Sequence, residues 1–212
     1  MGLFKRCIMK IFFFGDSITE GQFVGLPHRW VDIVANNLTK RLNTNFEADG
    51  CFVGANSGDT TAMGMARFAW QVQQIEPEIL FIQFGLNDCN VWASDRGMSR
   101  TSEGAFVANL KEMIDRGRNF GAKHVILSNN HQTAKCDDFG VMGTFESRNQ
   151  RYNNLIAQVA DERNVILNDI YTSFKDRFEA PGEYLLADDI HLNRVGHKFY
   201  ADCIIKILSK IK

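Results

Sequence analysis

The chain has 212 residues, 45% of them hydrophobic and 23% charged, and its formal net charge is -1. This length and composition are typical of a globular protein, and we expect one domain over residues 1–212. The near-zero charge argues against the clustered basic surface of a nucleic-acid-binding protein, and no apolar run is long enough to span a membrane.

The N-terminus is the first segment that needs an interpretation. Lys5 and Arg6, followed by apolar residues, have the outline of a signal peptide, but Lys10 interrupts the stretch and no small-residue cleavage site follows. Cleavage would also remove the first predicted strand. We therefore interpret the segment as strand and expect a cytoplasmic location.

Hydrophobic patterning predicts the order of strands and helices. Segments of strand length lie at residues 11–14, 45–54, 79–84, 125–127 and 165–167. Apolar residues at helical spacing predict helices around residues 30–42, 61–75, 106–121, 152–159 and 195–208. Continuous apolar strands are expected when helices cover both faces of a sheet. The alternation predicts an α/β fold, a three-layer sandwich around a parallel sheet.

Two connections are too long for simple turns. Residues 88–102 follow the third predicted strand, and residues 129–145 follow the fourth. Both leave the carboxyl ends of parallel strands, which is where open α/β sheets bind ligands. Loops of this length in a compact domain are usually functional.

Ser17, Gly58 and Asn87 each follow one of the first three predicted strands. The carboxyl ends of parallel strands share one edge of a sheet, so we expect these residues to lie close together. A serine that attacks an ester needs an activated hydroxyl and hydrogen-bond donors for the developing oxyanion. The backbone N–H groups of Ser17 and Gly58 and the Asn87 amide are candidate donors.

The base that activates such a serine must be a histidine, itself oriented by an acceptor. Asp188, Asp189 and His191 lie within four residues of one another, just before the last predicted helix. A turn with this spacing lets a carboxylate reach one ring nitrogen while the other nitrogen faces Ser17. Either aspartate satisfies this requirement.

The five cysteines indicate neither a disulfide framework nor a zinc site. They are odd in number, far apart in the chain and contain no C-x-x-C pair. We interpret them as small core or surface thiols. They are Cys7, Cys51, Cys89, Cys136 and Cys203.

Four segments, in order along the chain, resemble the conserved blocks of the SGNH (GDSL-type) hydrolase family. They are GDSIT at 15–19, SGDTT at 57–61, GLND at 85–88 and DDIHLN at 188–193. The resemblance implies a flavodoxin-like sheet of five parallel strands. It also implies an esterase, lipase or carbohydrate deacetylase that uses no metal or other cofactor.

The resemblance also implies a role for each matching residue. It makes Ser17 the nucleophile, with Gly58 and Asn87 as oxyanion donors beside the Ser17 N–H. It selects Asp188 over Asp189 as the partner of His191, because the triad aspartate of the family lies three residues before the histidine. The second block departs from the family pattern, since its asparagine is Asn56, only two residues before the glycine.

Three further residues are candidate substrate contacts: Asp16, Trp92 and His131. Asp16 is also expected to anchor the turn before Ser17 by accepting hydrogen bonds from backbone N–H groups. Trp92 either walls a pocket or packs its own loop down. His131 follows the fourth predicted strand, where it either touches the substrate or is merely solvated.

The sequence therefore predicts a serine esterase acting on a small-molecule ester. Polar residues in the 88–102 loop favour a short acyl group, including acetyl esters of carbohydrates or of other small polar alcohols. An acyltransferase with the same triad remains an alternative, because the two classes differ in how well the site excludes water. A flavin- or phosphate-binding module would use the turn after the first strand, but leaves Asn87 and His191 without a role. An interaction domain with an inactive site is disfavoured by the intact residue types.

Overall fold

The structure is a computed structural model that describes residues 9–41, 50–138 and 143–211. Within these ranges a single sheet contains β1 to β5, at Ile11–Gly15, Cys51–Ala55, Ile79–Gln83, His124–Ser128 and Ile166–Asn168. Helices α1 to α7 are Ser17–Glu20, Trp30–Arg41, Thr61–Phe68, Glu103–Asn119, Phe145–Glu162, Ile170–Arg177 and Arg194–Leu208. The described residues also form a π-helical segment at Ala69–Gln73 and 3₁₀ turns at Ala93–Asp95 and Pro181–Glu183.

The strands are all parallel, and their order across the sheet is β2-β1-β3-β4-β5. This is the flavodoxin-like order, so the predicted five-stranded parallel α/β fold is confirmed. The next strand, β2, pairs with one edge of β1, and β3 pairs with its other edge, so the strand order reverses direction at β1. Ligands in such sheets bind outside the carboxyl ends of the strands at this switch point. Gly15 ends β1 there, paired with Ala55 and Gln83.

Aromatic side chains of β1 pack into helix layers on both faces of the sheet. Phe13 contacts Trp30 of α2 edge to face, with ring centroids 5.2 Å apart. Its neighbour Phe14 points the opposite way, as strand geometry requires, and contacts Phe68 of α3 at 5.4 Å. Burial on both faces explains why the central strands are continuous apolar runs. The edge strand β2 differs, since Val53 is 49% exposed.

Two sequence predictions differ from the structure or extend beyond the described residues, and one helix was not predicted. The second strand begins at Cys51 rather than at residue 45, and residues 45–49 lie outside the described residues. The N-terminal segment interpreted as strand lies outside them as well for residues 1–8. Helix α6 was not predicted, because only two buried apolar residues, Ile170 and Phe174, mark its inner face.

No helix among the described residues combines the length and the apolar character needed to cross a membrane.

We predict that Gly196→Ala destabilises the fold. A Cβ at this position of α7 would lie 2.6 Å from the backbone carbonyl oxygen of Tyr184, which cannot move without shifting its loop. The expected loss in the free energy of unfolding is about 1–3 kcal/mol, measured by urea denaturation. Gly182→Ala is the control, because nothing lies within 4 Å of its added Cβ. Equal stability of the two variants would contradict this packing.

Candidate active site

The turn after β1 places Ser17 at the carboxyl edge of the sheet. A Cβ on Gly15 would lie 2.7 Å from the Gln83 carbonyl oxygen, so only glycine allows this approach. Asp16 caps α1, its Oδ1 accepting from the Ile18 N–H at 3.0 Å. Helix α1 closes after one turn, at Gly21 with a φ of 75°. The Ser17 side chain thus leaves a rigid and largely buried turn.

His191 connects Ser17 to Asp188 by two hydrogen bonds. Its Nε2 lies 2.9 Å from Ser17 Oγ, and its Nδ1 lies 2.6 Å from Asp188 Oδ2. An ionised carboxylate only accepts, so the Nδ1 proton faces Asp188 and the Nε2 lone pair faces the serine hydroxyl. This is the arrangement in which imidazole takes a proton from a serine.

The carboxyl group of Asp188 is held ionised. Burial alone would raise its pKa, but hydrogen bonds from the His191 N–H, the His191 ring and the Ile190 N–H hold that pKa below the ordinary value. Asp189, the other candidate, has a φ of 64° and makes backbone bonds instead. Its N–H donates to the Leu186 carbonyl, and its own carbonyl accepts from Ala134.

His131 supports the loop that carries His191. It is fully buried, and its Nε2 lies 2.7 Å from the carbonyl oxygen of Ile190. Burial lowers the pKa of His131 to about 4, so the ring is neutral near pH 7 and Nε2 donates this bond. No exposed surface of His131 is available to a substrate, and we interpret it as a support of the loop.

Three hydrogen-bond donors face the same edge of the sheet. The Ser17 N–H is in the first turn of a helix, where it has no intrahelical partner. Gly58 is exposed, with a φ of 82°, and Asn87 is partly exposed. Within the described residues, the backbone N–H groups of Ser17 and Gly58 have no protein acceptor, and neither has the side-chain amide nitrogen of Asn87. The set can therefore donate to an oxygen atom of a ligand.

Two buried aspartates brace the turns that carry these donors. Asp88, next to Asn87, accepts from the Thr61 N–H at 2.9 Å and from the Thr61 hydroxyl at 2.6 Å. Burial raises its pKa. Asp16 is fully buried and acts as the predicted turn anchor, with no exposed surface for the predicted substrate contact.

Two aromatic residues flank the donors and the relay. Trp92 is 51% exposed, and the Arg100 guanidinium lies over its ring at 4.3 Å. Its contact with substrate stays a prediction. Phe23, which the sequence reasoning missed, is 70% exposed, and its ring lies edge to face with the His191 ring, with centroids 5.2 Å apart. No spacing pattern marked Phe23, but its φ of 68°, rare for a bulky residue, is typical of functional loops.

No group of three or more His, Cys, Asp or Glu side chains is arranged to hold a metal ion within the described ranges.

Comparisons with known proteins give a family and a fold. The sequence model of the GDSL-like Lipase/Acylhydrolase family matches residues 13–199. The structure is similar to the crystal structure of the lipase/acylhydrolase from Enterococcus faecalis, with a TM-score of 0.77 and 24% identity. The alignment covers 96% of each chain. At that identity the likeness shows a shared fold.

Two curated relatives match over part of their length. Uncharacterized lipoprotein YqeF of Bacillus subtilis (strain 168) is 31% identical over 120 residues, covering 54% of this chain and 46% of that protein. The arylesterase of Vibrio mimicus is 25% identical over 118 residues, covering 56% of this chain and 53% of that protein. The chain thus spans about half the length of the curated relatives it matches.

We predict that Asp16 makes the fold less stable as pH rises. Burial raises its pKa from 3.8 to about 7, so the folded state holds a proton that the unfolded state loses near pH 4. The contribution of Asp16 to stability should therefore fall across this window and stay lower above it. Asp16→Asn keeps an acceptor for the Ile18 N–H but removes the titration.

The measurement is the free energy of unfolding at about pH 5 and about pH 8. Buried His131 contributes in the opposite direction, but equally in each protein, so the test is the difference between variants. On going from about pH 5 to about pH 8, Asp16→Asn should gain stability relative to the unsubstituted protein. Asp202→Asn, on the exposed face of α7, is the control and should follow the unsubstituted protein. Parallel pH profiles for all three proteins would contradict the raised pKa.

Proposed function

Since the chain belongs to the GDSL-like Lipase/Acylhydrolase family, a family of ester hydrolases, we propose that it hydrolyses carboxylic esters through an acyl-enzyme on Ser17. One observation carries this proposal, the hydrogen-bonded relay from Ser17 through His191 to Asp188. A flavin- or phosphate-binding module would have no use for that relay. The arylesterase activity named for one relative agrees with ester cleavage.

The first half of the proposed reaction forms the acyl-enzyme. His191 Nε2 takes the Ser17 proton while Ser17 Oγ bonds to the ester carbonyl carbon. Negative charge then develops on the carbonyl oxygen, where the N–H groups of Ser17 and Gly58 and the Asn87 amide stabilise it. Asp188 stabilises the imidazolium and holds the ring in place.

The second half releases the products. His191 donates its proton to the alkoxy oxygen as the carbon–oxygen bond breaks, and the alcohol leaves. Water then repeats the sequence on the acyl-enzyme, giving its proton to His191 and freeing the acid and Ser17. Because the leaving oxygen must approach His191 Nε2, the alcohol part of the substrate lies on the His191 side of the site.

The substrate we propose is a small ester with a short acyl group, such as an acetyl ester of a carbohydrate or of another small polar alcohol. Polar side chains near the donors support this choice. Arg100 contacts Gly58 and Asn87, and Ser57 forms a hydrogen bond with Glu20. A lipase would need a broad apolar surface at this place.

We also propose a cytoplasmic location. One relative is named a lipoprotein, and that name describes the relative only. Cell fractionation of the natural producer, followed by immunoblotting, would test the proposal. Recovery of the protein in the membrane fraction would contradict it.

We predict that Ser17→Ala abolishes turnover of a short p-nitrophenyl ester, because no other group takes over the nucleophilic step. The measurement is the initial rate against that of the unsubstituted protein at equal concentration, with thermal unfolding as a check of the fold. Ser209→Ala is the control, since its exposed hydroxyl donates to the Lys206 carbonyl at the end of α7, away from the relay. Activity of Ser17→Ala near that of the unsubstituted protein would exclude the acyl-enzyme on Ser17.

We predict a preference for short acyl chains. A panel of p-nitrophenyl esters from acetyl to long acyl, together with acetylated sugars, should give its highest kcat/KM at the short end. Chromatography of the products with added alcohols then separates hydrolysis from acyl transfer. A preference for long acyl chains, or a transferred acyl group as the main product in water, would overturn this part of the proposal.

A further inference from the structure

Arg100 contacts both loop residues that we assign to the oxyanion. Its Nη1 donates to the Gly58 carbonyl oxygen at 3.1 Å and lies 3.5 Å from Asn87 Oδ1. Gly58 follows β2 and Asn87 follows β3. One guanidinium group therefore ties together two loops that leave different strands.

The contact with Asn87 determines which end of its amide faces the site. A guanidinium group carries only hydrogen-bond donors, so it attracts Oδ1 and repels Nδ2. With Oδ1 held by Arg100, the Nδ2 group is left to donate elsewhere, and it has no acceptor among the described residues. Without Arg100, the amide would be free to turn its oxygen toward a developing negative charge.

Gly58 needs a similar restraint. It lies in an exposed loop at a φ of 82°, and nothing lies within 4 Å of the position where a Cβ would be. No group therefore packs against the side of this residue on which a side chain would lie. The bond from Arg100 to its carbonyl oxygen restrains the peptide that follows the candidate donor.

Arg100 is itself held in position. Its backbone N–H donates to the Asn90 carbonyl at 2.9 Å, and the next residue, Thr101, donates to the Asp88 carbonyl at 3.1 Å. The guanidinium group lies over the Trp92 ring, 4.3 Å from its centroid, a cation–π contact that favours this position. The 88–102 loop thus leaves Asn87 and returns beside it.

We propose that Arg100 is a positioning residue of the oxyanion hole, which orients the Asn87 amide and restrains Gly58 for the transition state. This proposal rests on the proposed esterase function. The 88–102 loop then serves to return an arginine to the donors. A small ester in its ground state gains little from this restraint, because the negative charge develops only in the transition state.

Arg100→Met should lower kcat of short-ester hydrolysis by about 10–100-fold, less than the 10²–10³ expected for losing a whole donor. KM should change by less than about threefold, since the lost interaction is made in the transition state. Arg100→Lys keeps the positive charge but loses the planar guanidinium group, so its kcat should lie between those of Arg100→Met and the unsubstituted protein. Arg96→Met is the control, because Arg96 is an exposed arginine of the same loop, and it should retain full activity.

The decisive test is a double-mutant cycle with Asn87→Ala, which alone should lower kcat by about 10²–10³. Because Arg100 acts through both Asn87 and Gly58, Arg100→Met should cost at least about threefold less in that background than in the unsubstituted protein, and the remaining loss reports the restraint of Gly58. If Arg100→Met fails to fold by thermal unfolding, Arg100→Lys takes its place in the same cycle.

Two results would overturn the proposal: full activity of the Arg100 variant, or equal losses from it with and without Asn87. A failure of the esterase proposal is distinguishable, because the unsubstituted protein would then not cleave the ester, or Ser17→Ala would keep full activity.

Discussion

The hydrogen bond between Ser17 Oγ and His191 Nε2 joins residues 174 positions apart, and the rest of the structure serves to make it possible. Ser17 is held by β1, a fully buried strand in the middle of the sheet. His191 lies in the loop before α7. Asn193 joins this loop to the helix as its N-cap, accepting from the N–H groups of Val195 and Gly196. Helix α7 in turn packs on α2, so an early and a late segment of the chain share one core.

A buried polar layer lies beneath this contact. Thr19 donates to Gln83 at 2.8 Å, Gln83 donates to Asn130 at 2.9 Å, and the Asn130 N–H donates to Asn153 at 2.8 Å. These groups lose their water on folding, and their hydrogen bonds to one another offset that loss. The layer continues through His131 to the loop of His191. The hydrogen bonds of this layer favour one side-chain arrangement over its alternatives, which is what a proton relay requires.

Much of the fold could be predicted from sequence because the central strands are buried on both faces. Burial of Ile79 to Ile82, for example, makes these residues one apolar run. Helix α6 carries a weaker signal, since its few inward side chains meet a core made by distant segments. The strand order follows from packing between elements and was available only through the family resemblance.

The candidate site divides in the same way. Ser17, Asp188 and His191 belong to short local blocks, so their positions in the chain indicate their chemistry. The sequence marked His131 as either a substrate contact or a solvated residue. Its role as a support could not be predicted, because its bond to Ile190 joins segments 59 positions apart. The contacts of Arg100 and Phe23 depend in the same way on loops that meet only after folding. Their residue types alone do not distinguish them from other loop residues.

The most direct test of the account is covalent labelling of the nucleophile. The protein would be treated with a fluorophosphonate, which phosphonylates an activated serine, and the adduct would be mapped by peptide mass spectrometry. The account predicts one adduct per chain, on Ser17, with labelling strongly slowed in His191→Ala. An adduct on another residue, or an unlabelled Ser17 in a protein that still cleaves esters, would contradict it.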